Sequence, residues 1–348
     1  MATTTIPEET TNLDNYPPLF RHQNNQTLNT NPENSSDDPV QDLDLFPVID
    51  LQGVTLNPHE KQKLLVACKS WGVFRLVNHG IPTNLLTQLE NQAKEIFSMS
   101  FESKQAATSN SPISHFWGTG ILTPRGTALE RGNQLINWVE GFNVPLGKLS
   151  QFEYQVPAFD SFSVLLQEYG NHLSRIARAL FEAMVKNLDL DVVSSKPYLS
   201  EETGYVRVYR YPAKSDADSG LGMEEHTDSS VLSILHQSDG VSGLEILKDD
   251  KWQTVNPLPN SLIVNVGDMM QALSDDIFKS VTHRVKVNKE RDRVSICYFV
   301  FPTGDVPVHS SSYKPFTYND FRAQVDEDVK TIGFKVGLQR FKLTGNQH

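Results

Sequence analysis

From Gly204 onward the chain abandons helical periodicity. Seven short runs follow, at 205–211, 231–236, 243–247, 252–255, 261–266, 281–287 and 293–300, and Gly, Asp, Asn or Pro separates them. Side chains in an extended run point alternately to opposite faces, and many short strands joined by turns close into a sandwich or barrel. The upstream half reads differently. Asn57 and Pro58 predict the start of a helix that Gly72 ends, with Leu64, Leu65, Cys68 and Trp71 on one face. A second helix is expected from near Pro82, and a long one from about Asp160 to Leu188, where Phe162, Leu166, Leu173, Ile176, Leu180 and Met184 keep helical spacing. Short strands are expected at 46–51 and 73–77. Residues 106–158 mix Gly, Pro and Ser with aromatics and read as loops and lids. Residues 1–44 are polar and poor in aliphatics, so they read as a disordered acidic tail with little to bury. The expected organisation is that tail, a helical region over 45–200 and a β core over 201–348, the last two forming one compact unit.

Composition narrows the function classes. The formal net charge of -11 repels phosphate backbones, so nucleic acid is not an expected partner. No apolar run reaches the length of a membrane span, so no membrane partner is expected either. Two cysteines, Cys68 and Cys297, are too few for a disulfide framework and suit a reducing compartment. The N-terminal stretch carries Glu8, Glu9 and Asp14 and lacks the apolar core of a secretory signal. The expectation is a cytoplasmic monomer, with the nucleus open to a protein of this size, acting on a small molecule.

The chemistry-bearing residues cluster on the predicted strands. His226-Thr227-Asp228 places an imidazole and a carboxylate two residues apart, on one side of an extended chain, just before the run at 231–236. Such a pair serves either a turn or half of a metal site. His283, on a later run, is the best third ligand. Two imidazoles and one carboxylate on one face of an octahedron are the ligand set of non-haem Fe(II) oxygenases. Arg293 and Ser295 share a strand face with Cys297, Phe299 and Phe301. An arginine facing the interior needs an anion, either an internal Asp or Glu or a bound carboxylate. Tyr209 and Tyr211 face one side of 205–211, either as packing or as hydroxyl donors to that anion.

Together these residues closely resemble the plant 2-oxoglutarate- and Fe(II)-dependent dioxygenases. The resemblance runs from about Phe46 to Leu343 and is carried by FPVIDL at 46–51, CKSWGVFRLVNHGIP at 68–82, VRVYRYP at 206–212, HTDSSVLSILHQSDGVSGLEI at 226–246, NVGDMMQALSDDIFKSVTHRV at 265–285 and RVSICYF at 293–299. It implies a distorted double-stranded β-helix (jelly roll) with a helical N-terminal portion. It implies Fe(II) on His226, Asp228 and His283, and 2-oxoglutarate held by Arg293, Ser295 and Tyr211. The implied reaction uses O2 to convert 2-oxoglutarate to succinate and CO2 while a substrate C–H bond is oxidised. One departure stands out: family members often carry Asn where this chain has Tyr209.

Within the family, Asn137-Trp138-Val139-Glu140-Gly141-Phe142 is similar to an element of the gibberellin oxidases. A gibberellin or its precursor is therefore the expected substrate; oxidases of auxin, jasmonate or flavonoids are the alternative, and a non-catalytic binding protein the remote one. Trp138, Phe142, Phe299 and Phe301 are expected to wall a small apolar molecule bearing a carboxylate. Arg125 and Arg131 are the expected cations for that carboxylate.

Overall fold

The computed structural model describes residues 13–21, 46–118 and 137–343, apart from 153, 155, 189, 191, 215–219 and 238–239. Among the described residues, Pro307–Val308 pairs with Phe316–Thr317 as a separate two-stranded ribbon, and twelve strands form two sheets. They are β1 (Val48–Asp50), β2 (Val73–Val77), β3 (Ser114–Trp117), β4 (Glu140–Pro145), β5 (Ser200–Tyr211) and β6 (Leu221–His226), then β7 (Leu232–Gln237), β8 (Leu244–Lys248), β9 (Lys251–Thr254), β10 (Leu262–Val266), β11 (His283–Lys286) and β12 (Arg293–Phe301). The large sheet runs β1-β2-β10-β7-β12-β5-β4-β3 and the small one β6-β11-β8-β9. This is the jelly roll. The early strands β1 and β2 join it through antiparallel pairing of β2 with β10, so the upstream half and the β core share one sheet.

Alternation along the strands sorts the two faces. On β5, Val206 and Val208 point to the helical side, where they share one core with Phe159, Phe162, Leu166, Leu173, Ile176 and Leu180 of the helix Pro157–Lys186. That helix carries the apolar stripe read from its sequence, and each such buried side chain contributes about 1.5–3 kcal/mol. The intervening residues Tyr209 and Tyr211 point inward, with Cys297, Phe299 and Phe301 of β12, toward Val285 of the small sheet. The space between the sheets is therefore lined from β5, β12 and β7 on one side and from Met223 and Val285 of the small sheet on the other. Gly72 ends the helix Pro58–Ser70 with φ of +69°, and a Cβ there would meet Lys279 O at 2.2 Å. Only glycine lets the β2 entry lie against the segment that leads to β11.

Two expectations need correction. The loop stretch 106–158 contains β3 and β4, which extend the large sheet through the pairs Glu140↔Arg210 and Phe142↔Val208. Gly, Asn and Pro in β4 hide its strand character; the long partner β5 imposes it. Within the supposed tail, residues 13–21 are folded. Tyr16 and Phe20 are buried with Phe101 and Trp117, and Arg21 Nη2 donates to both Glu102 carboxylate oxygens at 2.8 Å. The polar average over 44 residues concealed two aromatics and one arginine with specific partners. The rest of that tail lies outside the described residues.

Candidate active site

β6 ends on His226 and β11 begins on His283, and the register sets the two residues directly opposite each other. Their rings lie 4.3 Å apart. Each Nδ1 faces a backbone carbonyl, His226 that of Glu224 at 2.7 Å and His283 that of Val281 at 3.1 Å. Nδ1 is thus the protonated nitrogen, and both Nε2 lone pairs are left for another partner. They converge on Asp228 Oδ1, at 3.8 Å from His226 and 3.7 Å from His283. One ligand atom from each residue lies within 4.8 Å of the others. These separations are too long for hydrogen bonds and suit a cation between the three atoms.

Electrostatics agree with that use. Burial, followed by the adjacent His283, pushes the His226 pKa down to about 4, so the ring is neutral and able to ligate. The ring keeps 29% of its side-chain surface exposed; it forms the edge of an opening but is otherwise enclosed by protein. Burial alone would raise the Asp228 carboxyl, yet His283, His226 and a hydrogen bond from Ser233 hold it below the usual range.

The turn between the ligands is pinned from two sides. Asp268 N–H donates to Asp228 O at 2.8 Å. Lys335, beyond the last long helix, donates through Nζ to Thr227 O at 2.8 Å and also pairs with Asp268. Neither Lys335 nor Asp268 was singled out from the sequence, because their partners lie far away along the chain.

The second half of the site is an anion cradle. Arg293 is 1% exposed, and no carboxylate is paired with it among the described residues. Its Nη1 reaches Ser295 Oγ at 3.3 Å, its Nη2 reaches Gln237 Oε1 at 3.0 Å, and its buried Nε has no partner. Its guanidinium lies 5.2 Å from the Tyr211 ring centroid, and β12 pairs Arg293 with Tyr211 and Ser295 with Tyr209. Burial works against the charge on Arg293, so an incoming carboxylate would satisfy both the charge and the open N–H. Gly243 leaves the room: a Cβ there would stand 3.1 Å from Arg293 Cδ. The donor set fits Fe(II) at the His–Asp–His cluster and a dicarboxylate extending from there to Arg293. The internal salt bridge that could have explained Arg293 is absent among the described residues.

The expected substrate wall is only partly assembled. Phe299 and Phe301 face the space between the sheets. Phe142 does not: it lies on the helical side against Phe97, Phe159 and His115. Trp138 turns to Tyr16, Phe20 and Trp117, and its Nε1 donates to Pro212 O at 3.1 Å. Arg125 and Arg131 lie outside the described residues. Sequence reasoning missed Arg207, which shares the inward face of β5 with Tyr209 and Tyr211; the alternation that placed the two tyrosines also places it. It missed a buried charge cluster too. Glu140, fully buried, meets Lys104, His115 Nε2 at 2.8 Å and Arg210 Nη1 at 3.0 Å.

A jelly roll carrying two histidines, an aspartate and an unpaired interior arginine defines a class, the non-haem iron oxygenases that use a keto acid. Comparison with known proteins makes this specific. Residues 203–302 match the 2OG-Fe(II) oxygenase superfamily, and residues 46–152 match the non-haem dioxygenase N-terminal region named for morphine synthesis. Gibberellin 2-beta-dioxygenase 8 of Arabidopsis thaliana is 34% identical over 311 residues, covering 87% of this chain and 88% of that protein. Jasmonate-induced oxygenase 1 of the same plant is 31% identical, covering 81% and 72%. Among solved structures, JOX2 in complex with 2OG, Fe and JA superposes with a TM-score of 0.71 at 27% identity, covering 89% of this chain and 95% of that one. The chain belongs to the 2OG-Fe(II) oxygenase superfamily. It is a dioxygenase that uses Fe(II), 2-oxoglutarate and O2.

Proposed function

We propose that the chain oxidises a gibberellin or a gibberellin precursor, as a cytoplasmic monomer. His226, Asp228 and His283 hold the iron; Arg293, Ser295 and Tyr211 hold the distal carboxylate of 2-oxoglutarate. The observation that carries the substrate reading is the set of relatives at 34% identity over most of the chain, whose names specify gibberellin 2-beta oxidation, in Arabidopsis thaliana and in Oryza sativa subsp. japonica. Jasmonate is the second reading, favoured by the fit to the JOX2 complex.

The iron and its co-substrate supply the oxidising power when bound. The protein's own tasks are separate. The Nδ1–carbonyl bonds of both histidines fix the tautomer and the ring direction. Arg293 and its hydroxyl neighbours set the depth and orientation of the dicarboxylate. Phe299 and Phe301 present an apolar surface that keeps water off a hydrocarbon skeleton.

Two experiments test these assignments. His226→Ala, Asp228→Ala and His283→Ala should each abolish stoichiometric iron in the purified protein while leaving the far-UV circular dichroism unchanged; retention of full iron by any one removes that residue from the set. Anaerobically purified enzyme should be incubated with Fe(II), 2-oxoglutarate, O2 and separately with gibberellins, jasmonic acid, indole-3-acetic acid and flavonoids. A product 16 mass units heavier with gibberellins, matched by succinate, supports the reading; turnover of another class alone replaces it.

A further inference from the structure

β6 is an edge strand of the small sheet, paired there with β11 alone, and it ends on the more exposed of the two histidine ligands. Its register with β11 is uneven. His226 pairs with His283, yet Met223, three residues back, pairs with Val285, two residues on. One extra residue of β6 is absorbed between Met223 and His226. That is a β-bulge, and a bulge re-aims the side chains beside it. Glu224 lies inside this stretch. Glu224 and Glu225 are both exposed, so the bulge is not held by packing of its own side chains. Asn137 holds it from outside: the Glu224 N–H donates to Asn137 Oδ1 at 2.8 Å. The Glu224 carbonyl, on the other side of the same Cα, accepts from His226 Nδ1 at 2.7 Å. One residue thus links a buried amide to the ring direction of an iron ligand.

Asn137 is itself fixed. It is 6% exposed, and its carbonyl accepts from the Val139 N–H at 3.0 Å, a three-residue turn with Trp138 at the apex. The Trp138 N–H donates to Leu221 O at 3.1 Å, at the other end of β6. Residues 137–138 therefore bond the β6 edge where a further strand would. The Trp138 indole donates to Pro212 O at 3.1 Å and packs against Tyr16 at 6.0 Å and Phe20 at 5.1 Å. Both aromatics belong to the folded N-terminal segment 13–21. β6 also runs against the co-substrate cradle: a Cβ at Gly222 would stand 2.4 Å from Tyr211 Cδ1. A shift of this strand would disturb both halves of the site.

We propose that Asn137 is a positioning residue for the iron ligand His226: it closes the bulge at Glu224 and so fixes where the imidazole points, while the N-terminal segment, through Trp138, keeps Asn137 in place. This inference rests on the assignment of His226 as an iron ligand. Removing the hydrogen-bond partner of a metal ligand lowers metal affinity by roughly ten- to a hundredfold. Asn137 acts one bond further out, so the effect belongs at the lower end of that range.

The test measures Fe(II) affinity of the full chain with 2-oxoglutarate and without O2, by competition with a chromogenic chelator, beside amide hydrogen exchange of the metal-free protein. Asn137→Ala should weaken Fe(II) binding about tenfold and speed exchange in 221–226, with β10 and β12 exchanging at the wild-type rate. Asn137→Asp keeps an oxygen acceptor of the same reach and should restore most of both. Asn137→Leu, of similar size but with no acceptor, should behave like the Ala variant and serves if that variant does not fold. Removal of residues 1–22 should act in the same direction on both readouts. Wild-type iron affinity in the Ala and Leu variants overturns the proposal, as does an equal loss in the Asp variant, or a loss with unchanged exchange in 221–226. Wild-type affinity after truncation overturns the part given to the N-terminal segment. Full iron retained by His226→Ala would instead remove the ligand assignment, and the proposal with it.

Discussion

Replacing Glu140 with Gln should destabilise the protein by about 3–5 kcal/mol, the cost of breaking a buried ion pair from one side. Glu140 and Lys104 are both 0% exposed, and Arg210 is 6% exposed. Gln keeps the size of the side chain and removes its charge, so two cations lose their common anion inside the protein. Asp292 still reaches Arg210 Nε at 2.8 Å, but nothing replaces Glu140 for Lys104, whose remaining contacts are the carbonyls of Phe97 and Asn15. With about 2.1 cal/mol/K of unfolding entropy per residue and roughly 300 folded residues, the expected fall in Tm is about 5–8 °C. The measurement is thermal unfolding by circular dichroism at pH 7. The double variant Glu140→Gln with Lys104→Met should recover more than half of the loss, because the stranded ammonium is gone. A single variant within about 1 °C of wild type, or a double variant worse than the single, would refute the reasoning.

The same cluster carries a pH signature. Burial alone would raise the Glu140 carboxyl; His115, Lys104 and Arg210 outweigh it and hold the pKa below the ordinary value. A group depressed in the folded state stabilises it above the unfolded pKa, about 4.3, and that contribution disappears as pH falls through the folded pKa. Wild type should lose this increment only below about pH 4. Glu140→Gln lacks it throughout, so the two stability curves should converge at low pH.

Three further outcomes are expected. Arg293→Leu should weaken 2-oxoglutarate binding at least a hundredfold by calorimetry, with Arg293→Lys intermediate, since the point charge survives without the fork; unchanged affinity in the Leu variant would remove Arg293 from the cradle. Lys335→Met should weaken Fe(II) binding about tenfold through the freed Thr227 turn, read by competition with a chelator, and an unaltered iron affinity would make Lys335 a surface brace only. Truncation of residues 1–12 should leave Tm and tryptophan emission unchanged, whereas truncation of 1–22 should red-shift the emission as Trp117 and Trp138 lose Tyr16 and Phe20; no shift would mean that these aromatics are covered by something else.

What the sequence shows depends on whether partners are local or set by register. His226 and Asp228 are readable because period two fixes their common side, and Arg293 and Ser295 for the same reason. Phe142 lies on the helical side and not in the expected substrate wall because the face it presents depends on pairing with Val208, and a one-residue slip would reverse it. Glu140, Lys104, His115 and Arg210 are spread over 107 positions, from 104 to 210. No periodicity announces that four ionisable side chains meet in the interior. Tyr16 and Phe20 were lost in a compositional average, because a nine-residue patch with two anchoring aromatics barely changes the statistics of the tail around it.

The departure at Tyr209 takes on a meaning once the faces are assigned. Tyr211, Tyr209 and Arg207 follow one another on the inward face of β5, opposite Arg293, Ser295 and Cys297 of β12. Tyr209 therefore stands between the arginine of the co-substrate cradle and the unpaired arginine further along. Its ring stacks on Tyr211 at 5.9 Å, and its hydroxyl is turned to Arg207. A small amide at this position would leave the two cations facing a common polar space, open to the wrong carboxylate. A buried phenol fills that space, and burial, opposed in part by Arg207, raises its pKa well above the ordinary tyrosine value, so it stays neutral. It places an apolar ring between two interior arginines, and its hydroxyl accepts from Arg207 Nη1 at 3.5 Å. On this geometry Tyr209→Asn should admit 2-oxoglutarate to the Arg207 end as a competitor, visible as inhibition at high co-substrate that wild type does not show. Identical co-substrate saturation curves for the two proteins would leave Tyr209 as packing alone.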